Sequence, residues 1–381
     1  MMINEKKLLN ILHLFNDGFL VSLPLLLPFV QIELGLNLAQ VGFLGTVLKS
    51  LSILLAIPAG LIASKYGGTK SLIVAMLIYS CGFILTAIAP SYFFIILAFL
   101  FAGLGFGIFH PIAFAEVSKH TSKENRGNAM GNFTAIGDVG RVAISSLITV
   151  IASLIGWRLT SGIYGGFAFA LFAILILIIN KSNSHKVTIN NKKISFKVLL
   201  KHPKFLKISL TGILDSYASS SLFVFIPFLL LDRGIAPAIL GLFTAFFFIG
   251  NFLGKTMLGK SVDKYGNVKV FVIAEILMAV TILLFTQLDN LVILSIIAIF
   301  LGALTKGTTP VIQTMVADVT ENENSFEEVF ALNSFIVSIA STTAPLALGL
   351  IANSYGINYV FIFSAIFAIL AAISSLNLTK L

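Results

Sequence analysis

Long apolar stretches separated by short polar segments dominate the pattern of hydrophobic and polar positions along this chain. An α-helix needs about 20 residues to cross a hydrocarbon layer of roughly 30 Å. Apolar runs of that length recur along the whole sequence, as membrane-crossing helices do. The pattern predicts twelve spans, numbered 1 to 12 in chain order, at residues 8–31, 38–63, 71–90, 92–118, 129–155, 159–180, 207–231, 235–259, 270–288, 291–318, 329–353 and 358–378.

One connection between the spans is longer than the others. Residues 181–206, between spans 6 and 7, contain nine Lys or His and no acidic residue. The other connections are too short to hold a domain. We therefore expect a six-helix half at 1–180, a solvated basic linker at 181–206 and a second six-helix half at 207–381.

The composition excludes the soluble classes of protein. Of the 381 residues, 57% are apolar and only 11% are charged, against about 25% charged residues in an ordinary soluble domain. Such a chain cannot cover itself with a polar surface, which excludes a cytosolic enzyme, a nucleic-acid binder and a secreted domain. The single cysteine, Cys81, cannot form an internal disulfide or a cysteine-based metal site.

The distribution of Lys and Arg predicts how the spans are oriented. With the N-terminus in the cytoplasm, 19 of these residues fall in cytoplasmic segments, and only Arg158 and Arg233 fall outside. Positive residues favour the cytoplasmic side of a membrane, where they also contact anionic lipid headgroups. The sequence therefore predicts a multi-pass protein of the cytoplasmic membrane with both termini in the cytoplasm.

An internal repeat becomes visible when the sequence is shifted on itself by 199 residues. Over residues 28–70 the shift needs no gap, and 11 of 43 positions are identical. The identities include Gly, Pro, Lys and Tyr, which chance matches between apolar segments would not supply. The same shift places Gly103 and Pro111 on Gly302 and Pro310. Because six is an even number of spans, the repeat predicts two six-helix halves of the same orientation.

The repeat is clearest in a loop after span 2 and in its copy after span 8. A glycine at the end of a helix allows close approach to the next helix, and the lysines can pair with acids or lipid. The second copy has an acid at position 263, whereas Ser64 stands at the equivalent place in the first. A tight turn with basic anchors would explain the lysines alone. The candidate conformational residues are Gly60, Lys65, Gly67 and Lys70, and Gly259, Asp263, Lys264, Gly266 and Lys269.

Six plus six spans, a basic central loop and this repeated loop together resemble the major facilitator superfamily over nearly the whole chain. The strings His13-Leu-Phe-Asn16-Asp17-Gly18 and Phe109-His110-Pro111 are similar to strings of the fosmidomycin resistance family of efflux proteins. The resemblance implies an all-α fold of twelve transmembrane helices and proton-driven export of small polar or amphipathic molecules. It also implies that spans 3, 6, 9 and 12 stand on the outside.

Ionisable residues within the spans indicate which helices line the transport route. Each costs on the order of several kcal/mol in the membrane, so it normally faces a cavity or a partner. Spans 3, 6 and 12 have none, and span 9 has only Glu275, predicted near its cytoplasmic end. Lys255 and His110 are also predicted nearer the cytoplasmic side than the midplane. The candidates for the substrate and proton pathway are Asp17, Lys49, His110, Asp138, Arg141, Asp215 and Lys306.

Two interpretations are open for the acids of this set. Asp138 and Arg141, three residues apart, either neutralise each other as a structural pair or belong to the site. No partner for Asp17 is predicted on its own helix, so it is either a proton carrier or the fixed partner of a nearby lysine. Asp215 is the corresponding acid of span 7, one position out of register with the repeat, and is a further candidate for the same role of proton carrier.

Two roles are also possible for each basic residue of the set. His110 either relays protons or is a hydrogen-bonded structural histidine. Lys306 either anchors an anion or serves as the counter-charge to Asp17 or Asp215. Together the buried charges are balanced or slightly positive, which favours an anionic or zwitterionic substrate over a bulky organic cation.

These observations predict a secondary transporter that moves a small molecule by alternating access around a midplane site. Proton-coupled efflux is the leading expectation. The alternatives are an importer of an organic acid or another metabolite, by symport or facilitated diffusion, and a membrane sensor without transport. No nucleotide-binding loop, activated nucleophile or metal-ligand spacing stands out in the sequence. We therefore predict no enzyme activity, no cofactor or metal, no nucleic-acid partner, and a monomer in the lipid bilayer.

Overall fold

The computed structural model of the protein describes residues 5–119, 126–179, 199–317, 326–376 and 378. Most of the predicted linker lies outside these residues. The described residues form the α-helices α1 Glu5–Leu25, α2 Leu27–Leu34, α3 Leu38–Tyr66, α4 Gly68–Ala87, α5 Tyr92–Lys119, α6 Arg126–Ile155, α7 Trp157–Ile179, α8 Pro203–Ser219, α9 Leu222–Asp232, α10 Leu240–Tyr265, α11 Asn267–Gln287, α12 Leu291–Ala317, α13 Phe326–Tyr355 and α14 Asn358–Leu376.

Within the described residues, twelve helical segments are long and apolar enough to cross a membrane. Span 1 consists of α1 and α2, and span 7 consists of α8 and α9. Pro28 stands at the start of α2, where the missing amide hydrogen of proline removes a bond from the helix ladder. The other spans are single helices, apart from a 3₁₀ turn at Pro237–Ile239 before α10. The predicted all-α architecture of twelve spans is confirmed, with boundaries shifted by a few residues.

The chain divides into two compact units. Unit 1 consists of residues 1–37, 43–189 and 235–245, and unit 2 of residues 38–42, 190–234 and 246–381. Unit 1 therefore contains most of spans 1 to 6, and unit 2 most of spans 7 to 12.

Three helix pairs of unit 1 recur in unit 2, where span 7 also packs on span 12, a pair without an equally close counterpart among the described residues of unit 1. In unit 1, span 1 packs on span 5, and span 3 packs on spans 4 and 6. In unit 2, span 7 packs on span 11, and span 9 packs on spans 10 and 12. Adding six to each span number of unit 1 gives these three pairs of unit 2. The packing thus follows the repeat that the sequence predicts.

The backbone turns follow the repeat as well. In the described residues a positive φ angle occurs only at glycine, because a Cβ atom disfavours the left-handed region. Six glycines adopt it, and they form three pairs spaced by 199 or 200 residues. The pairs are Gly35 and Gly234, Gly67 and Gly266, and Gly156 and Gly356.

Equivalent glycines also bring helices close together. A Cβ atom on Gly103 in span 4 would lie 2.8 Å from the Leu48 carbonyl oxygen of span 2. A Cβ atom on Gly302 in span 10 would collide with the Phe247 carbonyl of span 8. Small residues at such crossings let backbones approach within a membrane, where apolar burial does not drive association.

Many large apolar side chains point away from the packed interior of the units. Leu154 is 77% exposed and Leu177 is 73% exposed, and similar residues recur along most helices. A soluble protein does not display so much apolar surface, whereas hydrocarbon chains would cover it in a bilayer. The exposed apolar faces and the twelve spans define a multi-pass membrane protein.

Arg158, one of the two arginines predicted outside the membrane, ties together three helices of unit 1. Its Nη1 donates to the Ala89 carbonyl at 2.6 Å, just beyond the end of α4. Its Nε and Nη2 donate to Glu33 Oε1 at the end of α2, at 3.0 and 2.8 Å. The other Glu33 oxygen accepts from Trp157 Nε1 at 2.7 Å. Glu33 therefore joins span 1 to the start of span 6.

Arg233 makes the corresponding contact in unit 2. It donates to the carbonyls of Phe285, Thr286 and Leu288, at the end of α11. Span 9, which contains α11, is the repeat partner of span 3, which contains α4. Both arginines therefore supply hydrogen bonds to carbonyl groups that a helix end leaves without intrahelical donors.

Tryptophan fluorescence can test the contacts of Glu33. Trp157 is the only tryptophan of the chain, so its fluorescence reports on the Glu33 hydrogen bond. Glu33→Leu should shift the emission maximum and lower stability by roughly 0.2–1 kcal/mol, as expected for an exposed ion pair. Glu33→Gln keeps an acceptor for the indole N–H and should retain most of the emission. Identical spectra for Glu33→Leu and the parent protein would contradict the assignment.

Candidate functional site

Asp17 of α1 lies at the centre of a buried polar cluster in unit 1. Its side chain is 1% exposed. One carboxylate oxygen, Oδ2, lies 2.7 Å from Arg141 Nη2 and 3.4 Å from His13 Nε2. The other, Oδ1, accepts from Asn16 Nδ2 at 2.9 Å and lies 3.3 Å from His110 Nε2. Four side chains from three helices thus converge on one carboxylate.

The orientation of His13 determines where its protons lie. His13 Nδ1 is 2.7 Å from the Phe133 carbonyl oxygen. A carbonyl oxygen only accepts hydrogen bonds, so Nδ1 carries a hydrogen. In the neutral imidazole, Nε2 would then present a lone pair to the Asp17 carboxylate. The ring also stacks on the Phe133 ring, with centroids 4.0 Å apart, which holds this orientation.

Arg141 links the cluster to a second acid on the same helix, α6. Arg141 Nη1 donates to Asp138 Oδ1 at 3.0 Å, while Nη2 contacts Asp17. The pairing of Asp138 with Arg141 expected from their spacing is present. It is also continuous with Asp17, so one guanidinium bridges acids on spans 1 and 5.

Glycines on α6 make room for the cluster. A Cβ atom on Gly137 would lie 2.6 Å from Asp17 Oδ2 and 2.8 Å from His13 Nε2. A Cβ atom on Gly140, one turn further, would collide with the Leu14 carbonyl. The close crossing of α1 and α6 therefore depends on these positions lacking a side chain.

One statement about this region made from the sequence was wrong. No partner was predicted for Asp17 on its own helix, yet His13 lies one turn before it and contacts its carboxylate. His110, predicted nearer the cytoplasmic side than Asp17, nevertheless lies 3.3 Å from its carboxylate. Long side chains on crossing helices close gaps that residue counting along a helix cannot show.

The nitrogen and oxygen atoms of His13, Asp17 and His110 lie within 4.8 Å of one another, a spacing that a metal ion could use. The chemistry of the set does not fit a resident metal. The Arg141 guanidinium already contacts the Asp17 carboxylate at 2.7 Å, and its positive charge would repel a second cation there.

Unit 2 contains a smaller polar group around Asp215 of α8. Thr308 Oγ1 on α12 donates to Asp215 Oδ1 at 2.8 Å. Lys306, two residues earlier, is an electrostatic partner of Asp215, which is one of the roles considered for it from the sequence. Glu275 of α11 is fully buried and interacts electrostatically with Asp215. Sequence reasoning missed Glu275, since counting residues placed it near the cytoplasmic end of its helix.

Other members of the two groups also carried no usable sequence signal. Asn16 and Thr308 are uncharged, and Phe133 acts through its backbone carbonyl and its ring. The candidate Lys49 on α3 is half-buried, as is Lys255 on α10.

The repeated loop, after span 2 and again after span 8, has the same local structure in both copies. Gly67 and Gly266 stand just before α4 and α11, with φ angles of 89° and 81°. In both copies the lysine before the tyrosine lies over the tyrosine ring, at 5.2 Å for Lys65 and 5.0 Å for Lys264. Gly60 and Gly259 lie within the preceding helices, and Lys70 and Lys269 in the first turns of the following ones. The side chain of Asp263 lies outside the described part of the chain.

An acid from another helix reaches the first copy, where Ser64 replaces the expected acid. Glu116 of α5 is buried, and a Cβ atom on Gly68 would collide with its carboxylate. Gly68 is the first residue of α4. The Glu116 carboxylate therefore lies at the N-terminal end of a helix, where a negative charge is favoured.

The fold and the site define a transporter-type membrane protein, with two six-span units and a charged cluster inside a helix bundle. The family model of the Major Facilitator Superfamily matches residues 9–214 and 208–380. The chain belongs to this superfamily, as its spans, repeat and loop predict.

Comparisons with individual proteins agree. The chain is 26% identical over 373 residues to the multi-drug resistance efflux pump PmrA of Streptococcus pneumoniae serotype 4, covering 94% of this chain and 92% of that protein. It is 30% identical over 166 residues to the fosmidomycin resistance protein of Escherichia coli K12, covering 43% and 40%. The crystal structure of a bacterial homolog of the human lysosomal transporter Spinster, inward-facing and occupied, matches with a TM-score of 0.79 at 15% identity, covering 98% and 96%. That similarity shows the fold alone.

Proposed function

We propose that this protein is a proton-coupled efflux transporter whose proton site is the Asp17 cluster of unit 1. The observation that carries the proposal is the contact of His13 Nε2 with the Asp17 carboxylate, while His13 Nδ1 is committed to the Phe133 carbonyl. A lone pair facing a carboxylate is repulsive, and a proton on Nε2 converts the contact into an ion pair. The cluster therefore has a place for one proton.

The charges of the cluster support the same proposal. With both histidines neutral, Asp17 and Asp138 contribute two negative charges and Arg141 contributes one positive charge, so the cluster is negative by one. One proton on His13 or His110 makes it neutral, which a buried environment favours. The name of the efflux relative PmrA, similar over nearly the whole chain, supports the outward direction.

The proton and Arg141 compete for one oxygen atom. His13 Nε2 and Arg141 Nη2 both face Asp17 Oδ2. Protonated His13 would share the carboxylate and weaken its hold on Arg141, so the α1–α6 contact has two arrangements. Coupling of this kind is typically worth about 1–3 kcal/mol, enough to bias the two states of an alternating-access cycle.

We propose a zwitterionic substrate for the efflux reaction. The acids of the cluster are almost fully buried, whereas the side chains of Arg141 and His110 are 20% and 23% exposed. The face presented to a substrate is therefore positive and suits an anionic group. Antiport additionally requires that the substrate compete with the proton, and a cationic group near Asp17 would do so. A purely anionic substrate would instead bind together with the proton and give symport, which is the import alternative.

Proteoliposomes containing the protein and an internal pH-sensitive dye test the proposal. An imposed pH gradient and a panel of anionic, zwitterionic and cationic compounds would be applied, with empty liposomes as background. We expect zwitterions to drive proton movement opposite to their own. Movement of proton and compound in the same direction would overturn efflux in favour of symport, and transport without proton movement would overturn coupling.

His13→Gln connects this assay to the cluster. Glutamine keeps a hydrogen-bonding side chain but cannot hold the proton, so compound-driven proton movement should fall about 5- to 150-fold. His202→Gln is the matched control, because His202 is exposed at the start of α8 and caps that helix. An equal loss in both variants would indicate damage to the fold and remove His13 from the mechanism.

The proposal also includes the orientation of the protein in the membrane. The Lys and Arg distribution supports a protein of the cytoplasmic membrane with both termini in the cytoplasm. We further propose that the halves 1–180 and 207–381 work as one monomer joined by the basic linker. The loop residues around Gly67 and Gly266 would move as the two halves exchange conformations.

A further inference from the structure

The buried acid pair of Asp215 and Glu275 in unit 2 has no role in the transport cycle described above. Asp215 lies on α8 and Glu275 on α11, so the pair connects spans 7 and 9. Glu275 is 0% exposed, and Asp215 is also buried. Acids at such positions are costly inside a membrane unless they are paired, hydrogen-bonded or protonated.

The surroundings of the two acids differ. Asp215 accepts a hydrogen bond from Thr308 at 2.8 Å and has Lys306 as an electrostatic partner. Both features suit an ionised carboxylate. In the described part of the chain, neither carboxyl oxygen of Glu275 has a hydrogen-bond partner of good geometry. The charged group that acts on Glu275 is Asp215 itself, which has the same sign when both acids are ionised.

The helices packed on α11 do not supply Glu275 with a counter-charge. The helices that pack most extensively on α11 are α12 and α14, and α8 presents Asp215 to Glu275. The only charged residue of α12 is Lys306, which acts on Asp215, and α14 contains no charged residue. Two carboxylates side by side in a low-dielectric interior cannot both be ionised without a large repulsive cost.

We propose that Asp215 and Glu275 hold one proton between them and form a second proton-binding site, in unit 2, separate from the Asp17 cluster. In the protonated state Glu275 is a carboxylic acid that faces the Asp215 carboxylate, and Lys306 balances the remaining negative charge. Release of the proton breaks the O–H bond, leaves both acids ionised and makes the group negative by one. Proton binding here does not depend on a transported compound, whereas a contribution of the site to coupling rests on the proposed function.

Infrared difference spectroscopy of the full chain in lipid, between acidic and alkaline pH, tests this site without any substrate. A protonated buried carboxyl group gives a carbonyl-stretch band that disappears on deprotonation and shifts in heavy water. We expect the parent protein to show such a band and Glu275→Gln to lose it. Glutamine preserves the size and polarity of the side chain, so this variant should fold.

Control variants separate this site from the Asp17 cluster and from the surface acids. Asp17→Asn and Asp289→Asn, the latter at an 84% exposed side chain, should keep the band. Asp215→Asn should remove or shift the carbonyl-stretch band. This variant tests the second member of the acid pair if Glu275→Gln folds poorly. An undiminished band in Glu275→Gln, or a band that no pH change removes from the folded protein, would overturn the proposal. Neither result depends on whether the protein exports anything.

Discussion

Replacing Asp17 by Asn should reduce compound-driven proton movement about 5- to 150-fold, the range of a coupling free energy of 1–3 kcal/mol. Asn has nearly the same size but no charge, so Arg141 loses its 2.7 Å ion pair and His13 loses the acceptor that stabilises its proton. Compound movement itself should continue downhill with a lower apparent affinity, because Arg141 still binds the anionic group of the substrate whereas the carboxylate near its cationic group is lost. The measurement is the dye-based proteoliposome assay, run with the compound gradient and the proton gradient imposed separately.

Asp232→Asn is the matched control for this variant, since Asp232 is an exposed acid at the end of α9. It should behave as the parent protein does. Complete loss of downhill compound movement in Asp17→Asn, even at high compound concentration, would assign Asp17 to the fold. Unchanged proton coupling would exclude the cluster as the proton site and leave Asp17 as a structural partner of Arg141.

The fold was largely predictable because the membrane imposes it. A span must be helical, apolar and about 20 residues long, and these three properties can be counted in a sequence. The repeat was predictable for a related reason: positions such as Gly67 and Gly266 need a positive φ angle, so both copies retain glycine. The breaks within spans 1 and 7 were not predicted, because each predicted span is long enough to cross the membrane as one continuous helix.

The site was predictable only where a contact is local. Asp138 and Arg141 stand three residues apart on one helix, so their pairing follows from helical geometry. The contacts of Asp17 with His110 and Arg141 cross between helices and depend on the rotation of each helix about its axis. Hydropathy does not determine that rotation when a helix is apolar on nearly all sides.

Glu275 is a second example of a contact between helices that the sequence does not predict. It is the only ionisable residue of span 9, a span expected on the outside, so the sequence offers no partner for it. The structure provides one because α8 presents Asp215 to Glu275. An isolated acid in an otherwise apolar span is therefore a signal to search for a partner on other helices.

Arg141→Gln should destabilise the protein by about 3–5 kcal/mol, the usual cost of removing one member of a buried ion pair. Without the guanidinium, Asp17 and Asp138 remain buried with no cation that bridges them, and their mutual repulsion favours opening the α1–α6 contact. Thermal unfolding in detergent, followed by circular dichroism, measures the loss. Arg158→Gln is the matched control, because it loses a partly exposed ion pair with Glu33 and a hydrogen bond to the Ala89 carbonyl, which together should cost no more than about 2 kcal/mol.

A double variant distinguishes lost electrostatics from lost packing. Adding Asp17→Asn to Arg141→Gln removes the buried negative charge that the first substitution left without its arginine. If the ion pair is the cause, the double variant should be more stable than the sum of the two single effects predicts, by about 0.5–3 kcal/mol. Additive losses would instead assign the effect of Arg141 to the packing of its long side chain between spans 1 and 5. In that case the competition between His13 and Arg141 for Asp17 Oδ2 could not drive the conformational change.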